Sequence, residues 1–230
     1  MPFMAAWRPA VESILEILFP TRCVGCRAAA GIWCPECQSR LRAVAGAVCL
    51  ACRRELPPGR GTHRCEPTAP RAYAAAIYQP PLDRALTHLK YRPDTRLADA
   101  LAESMARVYR RQRLTASCIV PVPLSPGRRR RRGYNQTELL GRSLAVLLGL
   151  PHVPSAAARI RETGSQVGRE ASERWANVEG AFRAVPDLVA GETVLLIDDV
   201  RTTGATLAAC SQALLRAGAR RVVALTVGRA

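Results

Sequence analysis

The sequence predicts an α/β protein, a parallel sheet flanked by helices, preceded by a small cysteine-rich module. Three observations carry that expectation. Seven of the nine cysteines lie between Cys23 and Cys65. From Arg71 onward apolar stretches alternate with polar turns, in the order of an alternating α/β domain. Two uninterrupted apolar runs, Val194 to Ile197 and Val222 to Val227, have the character of central strands buried on both faces.

Residues 1–20 come first. Val11, Ile14, Leu15, Leu18 and Phe19 fall at helical spacing, so Pro9 to Phe19 reads as a short amphipathic helix that Pro20 ends. Its apolar stripe suits the rest of the protein or a partner helix. Residues 21–67 lack long apolar runs and are rich in Cys, Gly, Pro and Arg, a composition that cannot build a core without a metal. The main domain spans 71–230. Ala72 to Tyr78 reads as a strand, Leu82 to Leu89 and Arg96 to Arg111 as helices, and Cys118 to Val122 as a strand closed by prolines. Asn135 to Leu148 is a strongly apolar helix. Thr206 to Ala217 is a further helix between the two central strands, and Gly218 stops it.

The net charge is +16, and Lys90 is the only lysine among the 34 basic residues. That balance suits a polyanionic partner, either nucleic acid or a phosphorylated small molecule, although arginine-rich composition by itself gives the same count. No run of about 18 apolar residues is present to span a membrane. Arg8, Glu12 and Glu16 interrupt any signal-peptide core, so a cytoplasmic location is expected. Clustered thiols in a reducing compartment bind metal more often than they pair as disulfides. Cys118 and Cys210 stand apart in apolar or helical surroundings, as small core residues do.

Chemistry concentrates in VLLIDDVRTTGATL, Val194 to Leu207, which we read as a ribose 5-phosphate site. A strand runs into two carboxylates and then a Thr and Gly-rich turn that opens a helix. In a parallel sheet the ligand crevice lies beyond the carboxyl ends of the strands, where Asp198 and Asp199 fall. Arg201, Thr202, Thr203, Gly204, Ala205 and Thr206 would wrap a phosphate. Free backbone N–H groups at the helix start and the threonine hydroxyls supply donors, and Gly204 permits close approach. Adjacent carboxylates beside a phosphate need a reason, and vicinal ribose hydroxyls or a bound Mg²⁺ provide one. DDVRTTGAT resembles the signature of the type I phosphoribosyltransferases. That resemblance implies that Asp198 and Asp199 contact the ribose hydroxyls of phosphoribosyl pyrophosphate, and that Thr202 to Thr206 hold its 5-phosphate.

Two further segments face the same crevice in such a fold. SPGRRRRRGYNQ places Arg128, Arg129, Arg130, Arg131 and Arg132 in a loop bounded by Pro and Gly, followed by Tyr134 and Asn135. It suits pyrophosphate, a polynucleotide backbone, or solvent. Thr163, Gln166, Arg169, Arg174 and Asn177 lie in the polar stretch Glu162 to Phe182, spaced as a loop running into a helix. That stretch can serve as a lid or as an ordinary crossover. Together with LKYR around Lys90, PVPL from Pro121 and the cysteine-rich start, these strings resemble the ComF family of competence-associated phosphoribosyltransferase-like proteins over nearly the whole chain.

Cys23 and Cys26, Cys34 and Cys37, and Cys49 and Cys52 form three Cys-x-x-Cys knuckles, two of which complete a tetrahedral thiolate site for Zn²⁺. Sequential and crossed pairings both fit the spacing. The family resemblance implies a fourth knuckle, where this chain has only His63 and Cys65, so one or two structural zinc ions are expected. Two functions follow from the resemblance. One is transfer of phosphoribose from its pyrophosphate to a nitrogen acceptor in DNA uptake or nucleotide metabolism, with Asp198 and Asp199 steadying an oxocarbenium-like ribose. The other is a non-catalytic, single-stranded DNA-binding competence factor that acts with other competence proteins. Aromatic residues make up only 5% of the chain, but Trp33, Tyr134 and Trp175 are placed to meet a base.

Overall fold

The computed structural model describes residues 20–58, 64–66, 68–162, 178 and 180–230. The helix expected over Pro9 to Phe19 lies outside them. The described elements are α1 (Pro35–Ser39), β1 (Ala47–Cys49), β2 (Glu55–Leu56), β3 (Arg71–Ile77), α2 (Leu82–Tyr91), α3 (Thr95–Arg111), β4 (Cys118–Pro121), α4 (Pro126–Arg132), α5 (Gln136–Leu148), β5 (Ala157–Arg159), β6 (Phe182–Ala184), α6 (Pro186–Val189), β7 (Thr193–Arg201), α7 (Ala205–Arg216) and β8 (Arg221–Arg229). One sheet has the order β2-β1-β3-β8-β7-β4. Strands β3, β8, β7 and β4 run parallel, while β1 is antiparallel to both β2 and β3. β5 and β6 form a separate antiparallel pair.

Side chains of a strand alternate between faces, so a strand covered on both sides must be apolar at every position. Leu195 and Ile197 of β7 pack with Val223 and Leu225 of β8 beneath Leu86, Leu101 and Leu144 of α2, α3 and α5. Val194 and Leu196 face the other way, onto Leu207, Cys210 and Leu214 of α7 and Phe182 of β6. Each such leucine contributes about 2 kcal/mol by leaving water. Cys118 and Cys210 are buried in this second core, as expected. Asp94 caps α3 by accepting the Leu97 N–H, and Asn135 caps α5 by accepting that of Thr137. Gly149 and Gly218, with φ of +65° and +95°, end α5 and α7 in the left-handed conformation.

Two expectations change. The arginine run is a helix, α4, and not a loop. Pro126 sits at its first turn and Gly133 closes it at φ +78°. Arginine is a good helix former, so five in succession propagate the turn once those two residues bound it. The cysteine-rich segment also does not stand apart from the main domain. The sheet crosses the boundary read at residues 67–71, because Val48 pairs with Ala72 and Cys49 with Arg71. Among the described residues no helix is long and apolar enough to cross a membrane.

Candidate functional site

β7 does not end at Ile197. β8 continues to pair with it through Asp198↔Thr226, Val200↔Gly228 and Arg201↔Arg229, whereas β4 stops at Pro121↔Ile197. Asp198 and Asp199 therefore lie in a strand at the point where its neighbour has finished, which opens a cavity beside them. Being consecutive, they point to opposite faces. Asp199 is nearly buried among fixed partners. Lys90 Nζ stands 3.1 Å from its Oδ2, Gln136 Nε2 donates to the same oxygen at 3.2 Å, and the Val200 N–H donates to Oδ1 at 2.8 Å. Asp198 accepts the Asp199 N–H at 2.8 Å. Burial, reinforced by the neighbouring Asp199 charge, pushes the Asp198 carboxyl well above the usual carboxylate range. Burial pulls the Lys90 ammonium down, but the charge and hydrogen bond of Asp199 outweigh it and raise it above its ordinary value. A ligand that brings hydroxyl donors or a cation to Asp198 restores its charged form.

Beyond Arg201 the chain turns through Thr202, Thr203 and Gly204, whose φ of +81° is the left-handed conformation, and enters α7 at Ala205. Thr203 Oγ1 accepts the Ala205 N–H at 3.4 Å. The cavity next to this turn has a volume of about 520 Å³ and is lined by Asp198, Asp199, Thr202 and Thr206 together with Lys90, Arg128, Arg132 and Arg159. Carboxylates, threonine hydroxyls and cations thus share one cavity, with Lys90 held against Asp199. Arg159 of β5 packs its guanidinium 5.3 Å from the centre of the Phe182 ring.

The residues singled out from sequence separate into those that meet here and those that do not. Arg128 and Arg132 reach the cavity, and Arg131 lines an adjoining depression with Lys90 and Tyr91. Arg129 is ion-paired to Glu138. Tyr134 donates to the Leu89 carbonyl oxygen at 2.8 Å, and the Asn135 side chain donates to that of Val122 at 3.0 Å. Both thereby fix the start of α5 against α2 and the end of β4. Arg201 turns away from the cavity, is 7% exposed, and lies 3.5 Å from Glu55 Oε1. Thr163, Gln166, Arg169, Arg174, Asn177 and Trp175 lie outside the described residues, as does His63. The structure adds Lys90, Gln136, Arg159, Tyr78 and Tyr91 to the lining. Lys90 carries a signal in the sequence as the one lysine in an arginine-rich chain, and Tyr91 and Gln136 lie in the strings LKYR and SPGRRRRRGYNQ that carry the family resemblance. A compact ammonium fits against a single carboxylate oxygen where a planar guanidinium fork does not.

Among the described residues two cysteine groups could hold a metal: Cys23, Cys26, Cys34 and Cys37, and Cys49, Cys52 and Cys65. The pairing is therefore sequential. In each group the sulfurs lie within 4.8 Å of one another. Cys23 and Cys37, and Cys26 and Cys34, are 3.6 Å apart. A tetrahedral Zn²⁺ with sulfur at about 2.3 Å requires S···S edges of about 3.8 Å, so the first group fits. Burial opposes ionisation of Cys23, yet the N–H groups of Cys34, Cys26 and Gly25 bring its pKa to about 6, and burial pushes Cys37 up. Four sulfurs close the site and leave no position for substrate, which makes the fitted role structural.

Residues 14–69 match the family described as the double zinc ribbon domain. Along most of its length the chain is 34% identical to the DNA utilization protein YhgH of Escherichia coli (strain K12), covering 88% of this chain and 94% of that one. It is 29% identical to competence protein F of Haemophilus influenzae over 92% of this chain and 98% of that protein. With competence protein ComFC of Bacillus subtilis it shares 26% identity over 80% and 78%. Among solved structures it aligns with the glutamine phosphoribosylpyrophosphate amidotransferase from B. subtilis at 19% identity and a TM-score of 0.42, covering 75% of this chain and 37% of that chain.

Proposed function

Because the chain belongs to the family of competence protein F and the DNA utilization protein YhgH, we propose that it binds phosphoribosyl pyrophosphate in the Asp198 cavity as part of DNA utilization. The observation that carries this reading is the set of groups that meet in the cavity. Thr202 and Thr206 of the turn, the carboxylates of Asp198 and Asp199, and the cations Lys90, Arg128, Arg132 and Arg159 come together within about 520 Å³. A ligand that combines a phosphate, vicinal hydroxyls and a pyrophosphate is complementary to that set.

In this reading Thr202, Thr206 and the amides at the start of α7 hold the 5-phosphate. Asp198 and Asp199 accept hydrogen bonds from the ribose hydroxyls and face the positive charge that grows on the ring as the pyrophosphate bond breaks. Arg128, Arg132 and Lys90 draw on the pyrophosphate. The chemistry that Mg²⁺ supplies, when bound with the ligand, is neutralisation of pyrophosphate charge. Asp198 is the residue that would hold it, since Asp199 is engaged by Lys90 and Gln136. Turnover would add a nitrogen acceptor, for which exchange of labelled pyrophosphate into phosphoribosyl pyrophosphate across a panel of bases is the assay. Calorimetric titration with phosphoribosyl pyrophosphate and Mg²⁺ tests binding directly. The double variant Asp198→Asn, Asp199→Asn should lose at least about tenfold in affinity, or roughly 1.4 kcal/mol. Binding as tight as wild type would refute the ribose assignment.

A second reading, in which the same protein also contacts single-stranded nucleic acid, is favoured by the surface next to the cavity. Tyr91 is 77% exposed and shares its depression with Lys90, Arg128, Arg131 and Arg132. The neighbouring Arg92 opens a second groove, lined also by Arg22 and Arg27 of the first cysteine group and by Arg84. Arginines around a depression that holds an exposed aromatic ring, as at Tyr91, are what a flexible polyanion with stacking bases recognises.

A further inference from the structure

The second cysteine group is not remote from the phosphate turn. Leu50 lies between its ligands Cys49 and Cys52, is buried, and belongs to the same core as Ala205 and Leu207. A Cβ built on Gly204 would stand 3.2 Å from Leu50 Cδ2, so the turn rests on that side chain. Glu55 of β2 reaches across the ends of two strands. Its Oε1 lies 3.5 Å from Arg201 Nη2 and its Oε2 3.2 Å from Arg229 Nη1. Arg201 immediately precedes Thr202, its guanidinium is almost fully buried, and its Nε has no hydrogen-bond partner among the described residues. The Glu55 carboxylate is thus what fixes the other end of that side chain. β1 in turn is bonded to β3, and the Leu50 N–H to the Pro70 carbonyl oxygen at 2.8 Å, so these residues form one body with the sheet.

We propose that Leu50 and Glu55, held in place by the Cys49, Cys52 and Cys65 site, are positioning residues for the ribose phosphate turn, so that metal loading there and phosphoribosyl pyrophosphate binding are thermodynamically linked. The proposal rests on the phosphate reading of Thr202 to Thr206. The three sulfurs lie close enough together to share one ion. Zn²⁺ bound there would hold Cys49, Cys52 and Cys65 together, and with them the loop Cys49 to Cys52 and the contact of Leu50 with Gly204. Without that constraint the loop would be freer, and ordering the turn would fall to the ligand itself.

Full-length Glu55→Gln, Leu50→Ala and Cys52→Ser, with Glu36→Gln on α1 as a charge-matched control, are compared for three properties. These are zinc content by mass spectrometry, affinity for phosphoribosyl pyrophosphate with Mg²⁺, and hydrogen exchange of the Thr202 to Thr206 amides without ligand. Glu55→Gln and Leu50→Ala should keep the zinc content of wild type, lose about fivefold or more in affinity, and exchange faster at the turn. Cys52→Ser should lose one equivalent of zinc and show the same two effects. Saturating phosphoribosyl pyrophosphate should raise zinc affinity at the second group by the same factor by which zinc raises ligand affinity, a reciprocity that a merely structural role does not produce. Because Glu55→Gln retains every sulfur ligand, it decides the matter even if Cys52→Ser fails to fold. Wild-type exchange rates and affinity in Glu55→Gln and Leu50→Ala overturn the proposal. Failure of wild type to bind phosphoribosyl pyrophosphate would instead remove the ligand reading, while the exchange measurement would still test the contact between the two elements.

Discussion

The pair formed by Lys90 and Asp199 invites a double-mutant cycle. Two unit charges at their separation of 3.1 Å attract by about 5 kcal/mol at an effective dielectric constant of about 20. The side chains are 29% and 10% exposed, so desolvation offsets much of that attraction. We expect a net coupling of about 2 kcal/mol between Lys90→Met and Asp199→Asn in the ligand-free protein. Lys90→Met alone should cost more, about 2 to 3 kcal/mol, because it leaves two adjacent carboxylates beside Gln136 without their nearest cation. For a chain of this size that is a drop in melting temperature of roughly 5 to 10 °C. The variants are compared by urea unfolding of zinc-loaded protein, with thermal unfolding as a second probe. Asp199→Asn should partly rescue Lys90→Met, since it removes the charge that lysine compensates. A coupling below about 0.5 kcal/mol would refute the claim that this ion pair holds the acidic centre of the cavity.

Two more expectations concern pH and salt. His152 lies beneath α5 against Gly141, where a Cβ would approach its Nε2 to 2.7 Å, and that nitrogen has no hydrogen-bond partner among the described residues. Burial, with Arg142 nearby, lowers its pKa below the ordinary 6.5, so protonation favours the unfolded chain. Its contribution is complete above about pH 6.5 and is lost as pH falls through the lowered value. Wild type should therefore lose more stability than His152→Gln between pH 7.5 and 5.5 in urea titrations, and equal losses would contradict the assignment. On the nucleic-acid side, replacing Arg128, Arg130 and Arg131 with Gln should flatten the log-log salt dependence of single-stranded DNA affinity by about 0.7 for each phosphate that is no longer neutralised. An unchanged slope would remove α4 from that surface.

What the sequence makes legible follows from periodicity and from local motifs. Val194 to Ile197 and Val222 to Val227 announce central strands because burial on both faces forbids polar positions, and the structure extends both by a few residues. Gly204 and the threonines around it announce the turn because its backbone conformation restricts residue type. α4 is hard to read because a dense run of charge resembles irregular structure, whereas its bounding Pro126 and Gly133 are the informative residues. The Lys90 contact with Asp199 joins positions more than a hundred residues apart, and no local pattern encodes it. The same is true of Glu55 on Arg201, where a residue expected to face phosphate instead pairs with a carboxylate of β2. Spacing alone also leaves the cysteine pairing open. The fold settles it by bringing Cys23 to Cys37 and Cys26 to Cys34.

The acidic centre of the cavity bears on how the two proposed ligands share one protein. A DNA strand offers phosphodiesters whose sugar carries no 2′-hydroxyl and whose 3′-oxygen is esterified, so it has no vicinal donors for Asp198 and Asp199. Such a strand would leave Asp198, whose ionisation burial opposes, without the hydroxyl donors that favour its charged form, and would set its phosphates against the Asp199 carboxylate. On the proposed reading, phosphoribosyl pyrophosphate would present hydroxyls at that point and its phosphates to the threonines and the arginines. The cavity would then favour a free sugar phosphate over an internal nucleotide. A strand bound at Tyr91 and along Arg22, Arg27, Arg84 and Arg92 would meet the cavity mouth at Tyr91, which lines both the cavity and the adjoining depression. Arg128, Arg131 and Arg132 line the depression beside that mouth, and Arg128 and Arg132 also face the cavity. Pyrophosphate and the strand would then compete for those two side chains. Phosphoribosyl pyrophosphate should accordingly weaken strand binding, and the weakening should vanish when Arg128 and Arg132 are replaced.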